Sequence, residues 1–345
     1  MSARQVGVRE ALAAAVLFGA ATPFASRVVG HASPQVLAGL LYLGSGLVLA
    51  ASMLAWPTRH QAPLTRGELP AMAGAILFGG GLGPLLLMIG LRTTRAPTAS
   101  LLLNLEVVLT AVIAWAAFHE NVDRRIAVGF GFIVAGGVVA SWRGDGAAGI
   151  PIGAVTIVGA CVCWAIDNNL TQKVSAKDPR QIASVKGLVA GLANLAIGLS
   201  VGGSLPSPRA TAATMLIGVV GYGVSLMLFV YALRSLGSAR TGAYFAIAPF
   251  IGALVAIGVF GEPLDFRLGP AGGLMAIGVW LHLTERHGHR HLHQPLTHEH
   301  AHTHDDLHHT HTHPPGVGGE PHVHQHAHAA MAHDHAHTPD IHHRH

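Results

Sequence analysis

Residues 210–233 read ATAATMLIGVVGYGVSLMLFVYAL, an unbroken run without aspartate, glutamate, lysine or arginine. A helix needs roughly 20 predominantly apolar residues to cross a hydrocarbon core about 30 Å thick, so this run is long enough to span a membrane. Half of the 345 residues are hydrophobic and only 11% are charged, whereas soluble domains carry about 25% charged residues. The composition therefore favours a membrane protein over a soluble enzyme.

Nine other segments resemble this run. Seven also lack the four charged residue types, namely 28–58, 69–91, 126–142, 146–166, 187–208, 241–261 and 268–284. Two more, residues 11–30 and 97–118, each contain one charge, Arg27 and Glu106 respectively. Barrel strands would alternate with period two over about ten residues, and these ten segments show no such pattern. We therefore predict an all-α integral membrane bundle of ten transmembrane helices, in which each helix satisfies its own backbone within lipid. The predicted helices lie near 8–30, 34–56, 68–91, 97–118, 124–142, 150–173, 181–203, 211–234, 240–260 and 266–283.

The loop charges predict the orientation in the membrane. With a cytoplasmic N-terminus, the inner loops and flanks hold thirteen of the lysines and arginines and the outer ones hold six. Cytoplasmic loops of membrane proteins carry the excess of these residues. An even number of spans returns the C-terminus to the same side. We therefore expect an integral protein of a bacterial inner membrane with cytoplasmic N- and C-termini.

The sequence contains an internal repeat. Residues 88–93 (MIGLRT) align with 230–235 (VYALRS), and 118–123 (FHENVD) align with 260–265 (FGEPLD), so that the offset in both cases is 142. Near the start of each copy the offset is 146, which pairs Phe18 with Trp164.

This repeat divides the body into two five-helix domains, residues 1–143 and 144–283. Because five is odd, two copies in tandem are expected to be inverted relative to each other. Inverted repeats are common in secondary transporters, which bind their substrate between the two halves near the bilayer midplane.

Two short segments carry a resemblance to a known family. Residues 101–107 read LLLNLEV and precede Glu120, and residues 246–249 read AIAP and precede Glu262. With these features the chain resembles the drug/metabolite transporter superfamily, specifically its paired EamA-type domains, over about residues 8–283. The resemblance implies ten helices, cytoplasmic termini and export of small organic solutes, often driven by exchange or by protons. In that family a proline often follows the acidic residue of the fourth helix, and here Val107 takes its place.

Glu106 is the charge that lies deepest in a predicted span. A charged side chain at the bilayer centre costs roughly 2.5–3.5 kcal/mol on insertion scales. Its repeat counterpart is Ala248, so the acid occurs in one half only. Two interpretations stay open, a protonatable carboxylate beside the solute path or a carboxylate that bonds a neighbouring helix for packing. Asn104 is a further candidate for substrate contact or coupling.

Asp167 and Lys186 are predicted to lie at similar depth on the sixth and seventh helices, because each is five or six residues from the cytoplasmic end. They can form a static structural pair or a pair that opens during transport. Asp167 also belongs to a polar and aromatic stripe with helical spacing, which lines a solute cavity or joins helices. The stripe consists of Trp164, Asp167, Asn168 and Thr171.

Four other residues complete the candidate transport site. Tyr244 is a weaker candidate for substrate contact. Pro23, Pro84 and Pro249 lie inside spans, where proline kinks a helix and frees carbonyl groups that a cavity can use.

Residues 284–345 form a different kind of segment. They hold 22 of the 26 histidines and almost no large apolar residues, so we predict a disordered His-rich cytoplasmic tail. Neutral imidazole binds divalent Zn, Ni, Co and Cu, and the alternative is a tail that responds to pH. The candidate metal ligands are His298, His300, His302, His304, His308, His309, His311, His313, His322, His324, His326, His328, His333, His335 and His337.

These features rank the possible functions. We find no nucleophile–base set, P-loop or nucleotide fingerprint, so an enzyme or an ATP-driven pump is not expected, and no cofactor is required. The leading hypothesis is a secondary active transporter that exports a small organic metabolite or drug by alternating access. The alternatives are a transporter of divalent Ni, Co or Zn and a non-transporting membrane metal sensor. The expected partners are membrane lipid, a small-molecule substrate and divalent metal on the tail, but no nucleic acid, in a monomer or homodimer.

Overall fold

The computed structural model describes residues 3–56, 64–118, 124–142, 151–175, 177–284, 288–293, 296–302, 322–328 and 331–336. In the described part up to residue 284, all regular structure is helical. The α-helices are α1 Ala3–Val28, α2 Pro34–Ala55, α3 Leu69–Ala75, α4 Gly83–Gly90, α5 Ala96–Leu102, α6 Leu105–Phe118, α7 Arg124–Ser141, α8 Ile152–Val174, α9 Pro179–Ser200, α10 Pro208–Ile217, α11 Ser225–Phe245, α12 Ala248–Gly258 and α13 Leu268–Leu283.

Eight helical stretches among the described residues are long and apolar enough to cross a membrane. They are Gln5–Val28, Pro34–Ala55, Arg66–Gly90, Ala96–Ala116, Ile152–Val174, Pro179–Ser200, Pro208–Leu236 and Thr241–Gly258. Two shorter apolar helices, Ala127–Ser141 and Leu268–Leu281, lie where the fifth and tenth spans are predicted. The helical character of the body is therefore confirmed, while the number of ten crossings stays a prediction.

Several predicted spans are not simple α-helices. A 3₁₀ turn, Arg66–Glu68, precedes α3, and π-helical segments join α3 to α4 at Ile76–Leu82 and α10 to α11 at Gly218–Val224. The two π segments occupy equivalent positions in the sequence repeat, because Ile76 aligns with Gly218. Both are rich in glycine, with GGG at 79–81 and GYG at 221–223. Such π segments often mark functional sites within helices.

The eighth and ninth predicted spans are separate helical stretches, Pro208–Leu236 and Thr241–Gly258. Helical backbone continues between them, since α11 extends from Ser225 to Phe245. The chain nevertheless reverses direction within α11, because the rings of Phe229 and Phe245 lie 4.9 Å apart, whereas a straight helix would separate these positions by about 24 Å. The predicted reversal between these two spans is therefore confirmed.

Helices α2 and α9 pack closely through glycines and run in opposite directions. A Cβ atom added to Gly39 would lie 2.6 Å from the backbone N of Leu195, and one on Gly187 would lie 2.6 Å from the N of Gly46. Later residues of α2 therefore contact earlier residues of α9, as expected for antiparallel helices. Small residues allow the backbones of membrane helices to approach in this way.

Helices α7 and α13 form a second antiparallel pair. A Cβ on Gly129 would lie 2.9 Å from the carbonyl O of Gly278, and one on Gly136 would lie 2.7 Å from the carbonyl O of Ala271. Each antiparallel pair joins one helix of the first repeat to its counterpart in the second. The interface between the repeats thus brings equivalent helices together.

From residue 288 on, the described residues of the tail form four strands, β1 Gly288–His293, β2 Leu296–His302, β3 His322–His328 and β4 Met331–Ala336. The predicted disorder of the tail stays a prediction for the rest of residues 284–345, which lies outside the described residues. Strand β1 pairs antiparallel with β4, and β2 pairs antiparallel with β3. The composition argued against a packed core, but the alternation of histidine with other residues also has the period of two that suits a strand.

Candidate functional site

A partly open cavity of about 50 Å³ lies among helices from both repeats. Its lining comes from α1, α2, α6, α8, α9, the second π segment and α11. The lining residues are Phe18, Tyr42, Glu106, Trp164, Asp167, Asn168, Lys186, Gly221, Tyr222, Ser225, Leu226, Phe229 and Phe245. Phe18, Glu106, Trp164 and Tyr222 each lie near the middle of their apolar stretch. The cavity is thus at the depth where a transporter is expected to bind its substrate.

Glu106 supplies the isolated acid of this cavity. It lies in the first turn of α6, directly after the helical break at residues 103–104, and is 8% exposed. Its Oε1 accepts a hydrogen bond of 2.8 Å from Nδ2 of Asn168, which also lies 3.3 Å from Oγ1 of Thr110. Among the described residues, Glu106 has no basic side chain in ion-pair contact.

Asp167 and Lys186 form a buried ion pair. Nζ of Lys186 lies 2.5 Å and 2.6 Å from the two carboxylate oxygens of Asp167. Thr171 donates a third hydrogen bond of 2.9 Å to Oδ1 of Asp167. The side chains are 1% and 6% exposed for Lys186 and Asp167. The pairing expected from their depth is confirmed, and both charges are satisfied inside the protein.

The first π segment presents backbone carbonyl groups to the site. Pro84 is the second residue of α4 and has no N–H, so neither Gly79 nor Gly80 receives a hydrogen bond from that position. The carbonyl O of Gly79 instead accepts from the hydroxyl of Tyr42 at 2.6 Å and from Nε1 of Trp164 at 3.0 Å. The carbonyl O of Gly80 accepts from Asn194 at 3.2 Å. These bonds fix the Tyr42 and Trp164 rings at the cavity wall.

Aromatic side chains form a contiguous part of the cavity lining, called here the aromatic wall. The ring of Phe18 lies 5.6 Å from that of Trp164, 5.8 Å from Tyr222 and 5.3 Å from Phe245. The ring of Tyr42 lies 5.5 Å from Tyr222. Tyr222 is 4% exposed, and its buried hydroxyl has no hydrogen-bond partner in the described part of the chain. The cavity therefore combines an acid, an aromatic wall and this unpaired hydroxyl.

Comparison with known proteins identifies the family. The EamA-like transporter family matches two stretches of the chain, residues 6–142 and 151–284. The chain belongs to this family. An uncharacterized transporter of Methanothermobacter thermautotrophicus is 29% identical over 227 residues, which cover 64% of this chain and 66% of that protein, just under two thirds of its length. A crystal structure of another protein, 18% identical with a TM-score of 0.61, covers 81% of this chain and 96% of that chain, which shows a shared fold alone.

These matches and the apolar helices establish an integral membrane protein of the EamA-like transporter family. The family and the relative's description point to a transporter rather than an enzyme. The resemblance stated from the sequence is therefore confirmed at the level of the family. The two matched stretches also coincide with the two copies of the sequence repeat.

Some of the predicted site residues of this EamA-like protein lie outside the cavity lining. Asn104 is fully buried, and its Nδ2 lies 3.7 Å from Sδ of Met275. Thr171 contacts Asp167 behind the wall, and Tyr244 packs beside a cluster that includes Ala11 and Leu236. In contrast, Glu106, Trp164, Asp167, Asn168 and Lys186 all line the cavity.

The three prolines have different surroundings. Pro23 lies within α1, which continues through it as a helix, whereas Pro84 and Pro249 occupy the first turns of α4 and α12. The free carbonyl groups predicted from the prolines are present before Pro84, where those of Gly79 and Gly80 accept hydrogen bonds from side chains.

Four aromatic residues of the cavity lining were not predicted from the sequence, namely Phe18, Tyr42, Phe229 and Phe245. The alignment of Phe18 with Trp164 across the repeat was an available signal for one of them. The others are large apolar or aromatic residues in apolar spans, where cavity-lining and lipid-facing positions have the same composition.

The candidate metal ligands of the tail fall into two groups. Nine lie on the described strands, and these are His298, His300, His302, His322, His324, His326, His328, His333 and His335. The other six, His304, His308, His309, His311, His313 and His337, lie outside the described residues. Within the described ranges, no group of three or more histidine, cysteine, aspartate or glutamate side chains is arranged to hold a metal ion.

Proposed function

We propose that this EamA-like protein is a secondary active transporter that exports a small organic metabolite or drug by alternating access of two inverted five-helix halves. The observation that carries the proposal is the mid-depth cavity between helices of the two repeats. Alternating access requires such a site, which each side of the membrane reaches in turn.

The direction of the repeat-related helices supports an inverted arrangement. In a chain with five spans per repeat, each helix of the second copy crosses the membrane in the opposite direction to its counterpart. The contacts of α2 with α9 and of α7 with α13 are both antiparallel. A repeat related by an axis along the membrane normal would instead place equivalent helices parallel. Together with the loop charges, this supports ten spans with both termini in the cytoplasm of a bacterial cell.

Within this proposal Glu106 couples transport to protons or contacts the solute. It is the carboxylate of the cavity that has no basic partner among the described residues, because Lys186 binds Asp167. A carboxylate at this depth can exchange a proton as water reaches the cavity from either side.

We also propose that the cytoplasmic tail binds divalent metal. The backbone register places six histidines directly opposite one another as three pairs, His298 with His326, His300 with His324 and His302 with His322. With three or four ligands per ion, the 22 histidines of the tail suffice for on the order of five ions. No observation in the described part of the body favours transport of the metal itself.

A growth experiment tests the proposed function. A host that expresses the full chain is challenged with toxic metabolite analogues and with Ni, Co and Zn salts, beside hosts that express Glu106→Gln, Glu262→Gln or residues 1–283. We expect the full chain to protect against at least one organic compound, Glu106→Gln to lose that protection, and the other two variants to retain it. Glu262 is a matched control because it lies outside the cavity, 3.9 Å from Arg27.

Two other outcomes would favour the alternatives. Protection confined to metal salts and lost with the tail would indicate a metal transporter. A growth or expression response to metal, without transport of any compound into or out of vesicles, would indicate a sensor. In vesicles that show proton-dependent transport, unchanged activity of Glu106→Gln would refute the role of that residue.

A further inference from the structure

The charges that line the cavity do not cancel. Three of its lining residues carry ionisable acidic or basic groups near neutral pH, Glu106, Asp167 and Lys186. Lys186 contacts both oxygens of Asp167 at 2.5 Å and 2.6 Å, so this pair is neutral as a unit. Glu106 has a neutral donor, Asn168, at 2.8 Å. When Glu106 is ionised the cavity therefore carries one net negative charge.

This charge distribution disfavours several classes of solute. An anion would meet repulsion from Glu106, and no free basic side chain lines the described cavity to attract it. The carboxylate of a zwitterion would have to displace Asp167 from Lys186, which would leave a buried charge without its partner. A bare divalent ion would find one carboxylate where a metal site usually offers three or more protein ligands.

The aromatic wall suits a positive group with an organic surface. Phe18, Tyr222 and Phe245 stand close together, with Trp164 and Tyr42 beside them. Aromatic faces attract organic cations through the ring quadrupole, and this attraction is stronger where water is excluded. They also bury the hydrocarbon part of such a solute.

The hydroxyl of Tyr222 adds an independent sign of an absent ligand. It is buried and has no hydrogen-bond partner among the described residues, although a buried polar group without a partner is destabilising. Tyr222 lines the cavity, where an N–H or hydroxyl of a bound solute can supply the missing bond. The site thus has one charged contact, one polar contact and an aromatic surface.

Resting on the proposed function, we infer that the solute is a monovalent organic cation. Its ammonium-type group lies against the Glu106 carboxylate, and its hydrocarbon part lies against the aromatic wall of Phe18, Tyr222 and Phe245. The Asp167–Lys186 pair stays closed while the cation is bound, and therefore contributes no net charge.

Direct binding to the purified full-length protein in lipid nanodiscs tests this inference. The probe is radiolabelled phenyltrimethylammonium, and its neutral isostere tert-butylbenzene and the anion benzoate serve as competitors. We expect saturable binding of the cation that unlabelled cation displaces at least tenfold more effectively than either competitor. This comparison uses the wild-type protein alone and does not depend on the folding of any variant.

Variants then assign the contacts. Glu106→Gln should weaken binding about 10- to 100-fold, the range of a hydrogen bond or contact that involves a charged group, while Glu262→Gln should leave it unchanged. Tyr222→Leu should weaken binding about three- to tenfold, and Tyr222→Phe should have a smaller effect because it keeps the ring. Size-exclusion profiles and melting temperatures show that each variant is folded.

Three results would overturn the inference: no saturable binding of the cation, equal displacement by tert-butylbenzene or benzoate, or full affinity of a folded Glu106→Gln protein. The results that would contradict the proposed function differ from those that would contradict the cation site. Saturable cation binding without transport in proteoliposomes would contradict a transporter and keep the cation site, whereas export of neutral or anionic solutes alone would keep the transporter and refute the cation site.

Discussion

The two repeats share a fold but differ in the chemistry that they bring to the cavity. At an offset of 146, Asp167 corresponds to Ala21 and Lys186 corresponds to Leu40. The packing is nevertheless equivalent, because Gly79 faces Asp167 while Gly221, its counterpart in the second repeat, faces Ala21. The charged residues thus occupy positions where the other half has two buried apolar residues. The two repeats therefore share a backbone arrangement, and the positions at which their residues differ provide the charged groups of the cavity.

A second difference lies at the ends of equivalent helices. The guanidinium of Arg234 donates to the carbonyl O of Lys177 at 2.6 Å and to that of Ser175 at 3.2 Å. Its repeat counterpart, Arg92, is exposed and reaches the carbonyl O of Ala32, at 3.4 Å. In the proposed orientation Arg234 lies on the cytoplasmic side, where it ties α11 to the connection between α8 and α9 more firmly than Arg92 ties the end of α4 to its neighbour.

The largest loss of stability is expected when one residue of the Asp167–Lys186 pair is replaced and the other is kept. Lys186→Met leaves Asp167 buried and unpaired, so we expect a loss of about 3–5 kcal/mol in the free energy of unfolding. The double variant Asp167→Ala/Lys186→Leu copies the first repeat at both positions and should recover most of that stability. Unfolding of the purified variants in detergent measures both. A stable Lys186→Met protein, or a double variant as unstable as the single one, would contradict the comparison.

Gly79→Ala should have the next largest effect. The added Cβ would collide with the carboxylate of Asp167, and overpacking of this kind costs about 1–3 kcal/mol. Gly131→Ala is the matched control, because nothing lies within 4 Å of a Cβ there, and it should be neutral or slightly stabilising. The melting temperatures of the two variants test this difference, and equal shifts would show that Gly79 does not constrain the pair.

Replacement of Arg234 and replacement of Arg92 should differ in their effects on stability, by less than the variants above. Arg234→Ala removes hydrogen bonds from a charged donor to two backbone carbonyls, and we expect a loss of about 1–3 kcal/mol in stability. Arg92→Ala removes an exposed contact and should change stability by about 0.5 kcal/mol or less. Unfolding in the same detergent compares the two variants. A larger loss of stability for Arg92→Ala than for Arg234→Ala would contradict the stronger contacts assigned to Arg234.

Deletion of residues 284–345 should have the smallest effect on the body. We expect the unfolding free energy of the remaining chain to change by about 0.5 kcal/mol or less, because the described residues of the tail contribute none of the cavity lining. Calorimetric titration with Zn²⁺ or Ni²⁺ should show on the order of five ions bound by the full chain and none at comparable affinity by residues 1–283. Metal binding that survives truncation would place the metal site in the body.

Part of this site was predictable from the sequence because simple helix geometry determines it. The rise per residue along a helix placed Asp167 and Lys186 at equal depth, and they form a pair. The missing N–H of Pro84 indicated free carbonyls, which Gly79 and Gly80 provide. The burial of Glu106 followed from its position within an apolar span.

The remaining features depend on tertiary contacts. The π segments cannot be derived from periodicity, since their shifted hydrogen bonds are stabilised by partners such as Tyr42 and Trp164 that are distant in sequence. The aromatic wall was missed because, in a membrane span, phenylalanine faces lipid as readily as it faces a cavity. The strands of the tail were missed because low apolar content was taken to exclude regular structure, although backbone pairing needs no apolar core.

The inverted relation of the two halves is tested most directly by labelling two equivalent cap positions. Thr65 precedes the 3₁₀ turn before α3, and Ser207, its counterpart in the second repeat, precedes α10. Thr65→Cys and Ser207→Cys are each expressed in cells and treated with a membrane-impermeant maleimide, and the parent chain with its buried Cys161 and Cys163 serves as the background control. We predict that Ser207→Cys reacts in intact cells and Thr65→Cys only in inside-out vesicles. Reaction of both positions from the same side of the membrane would contradict two inverted halves.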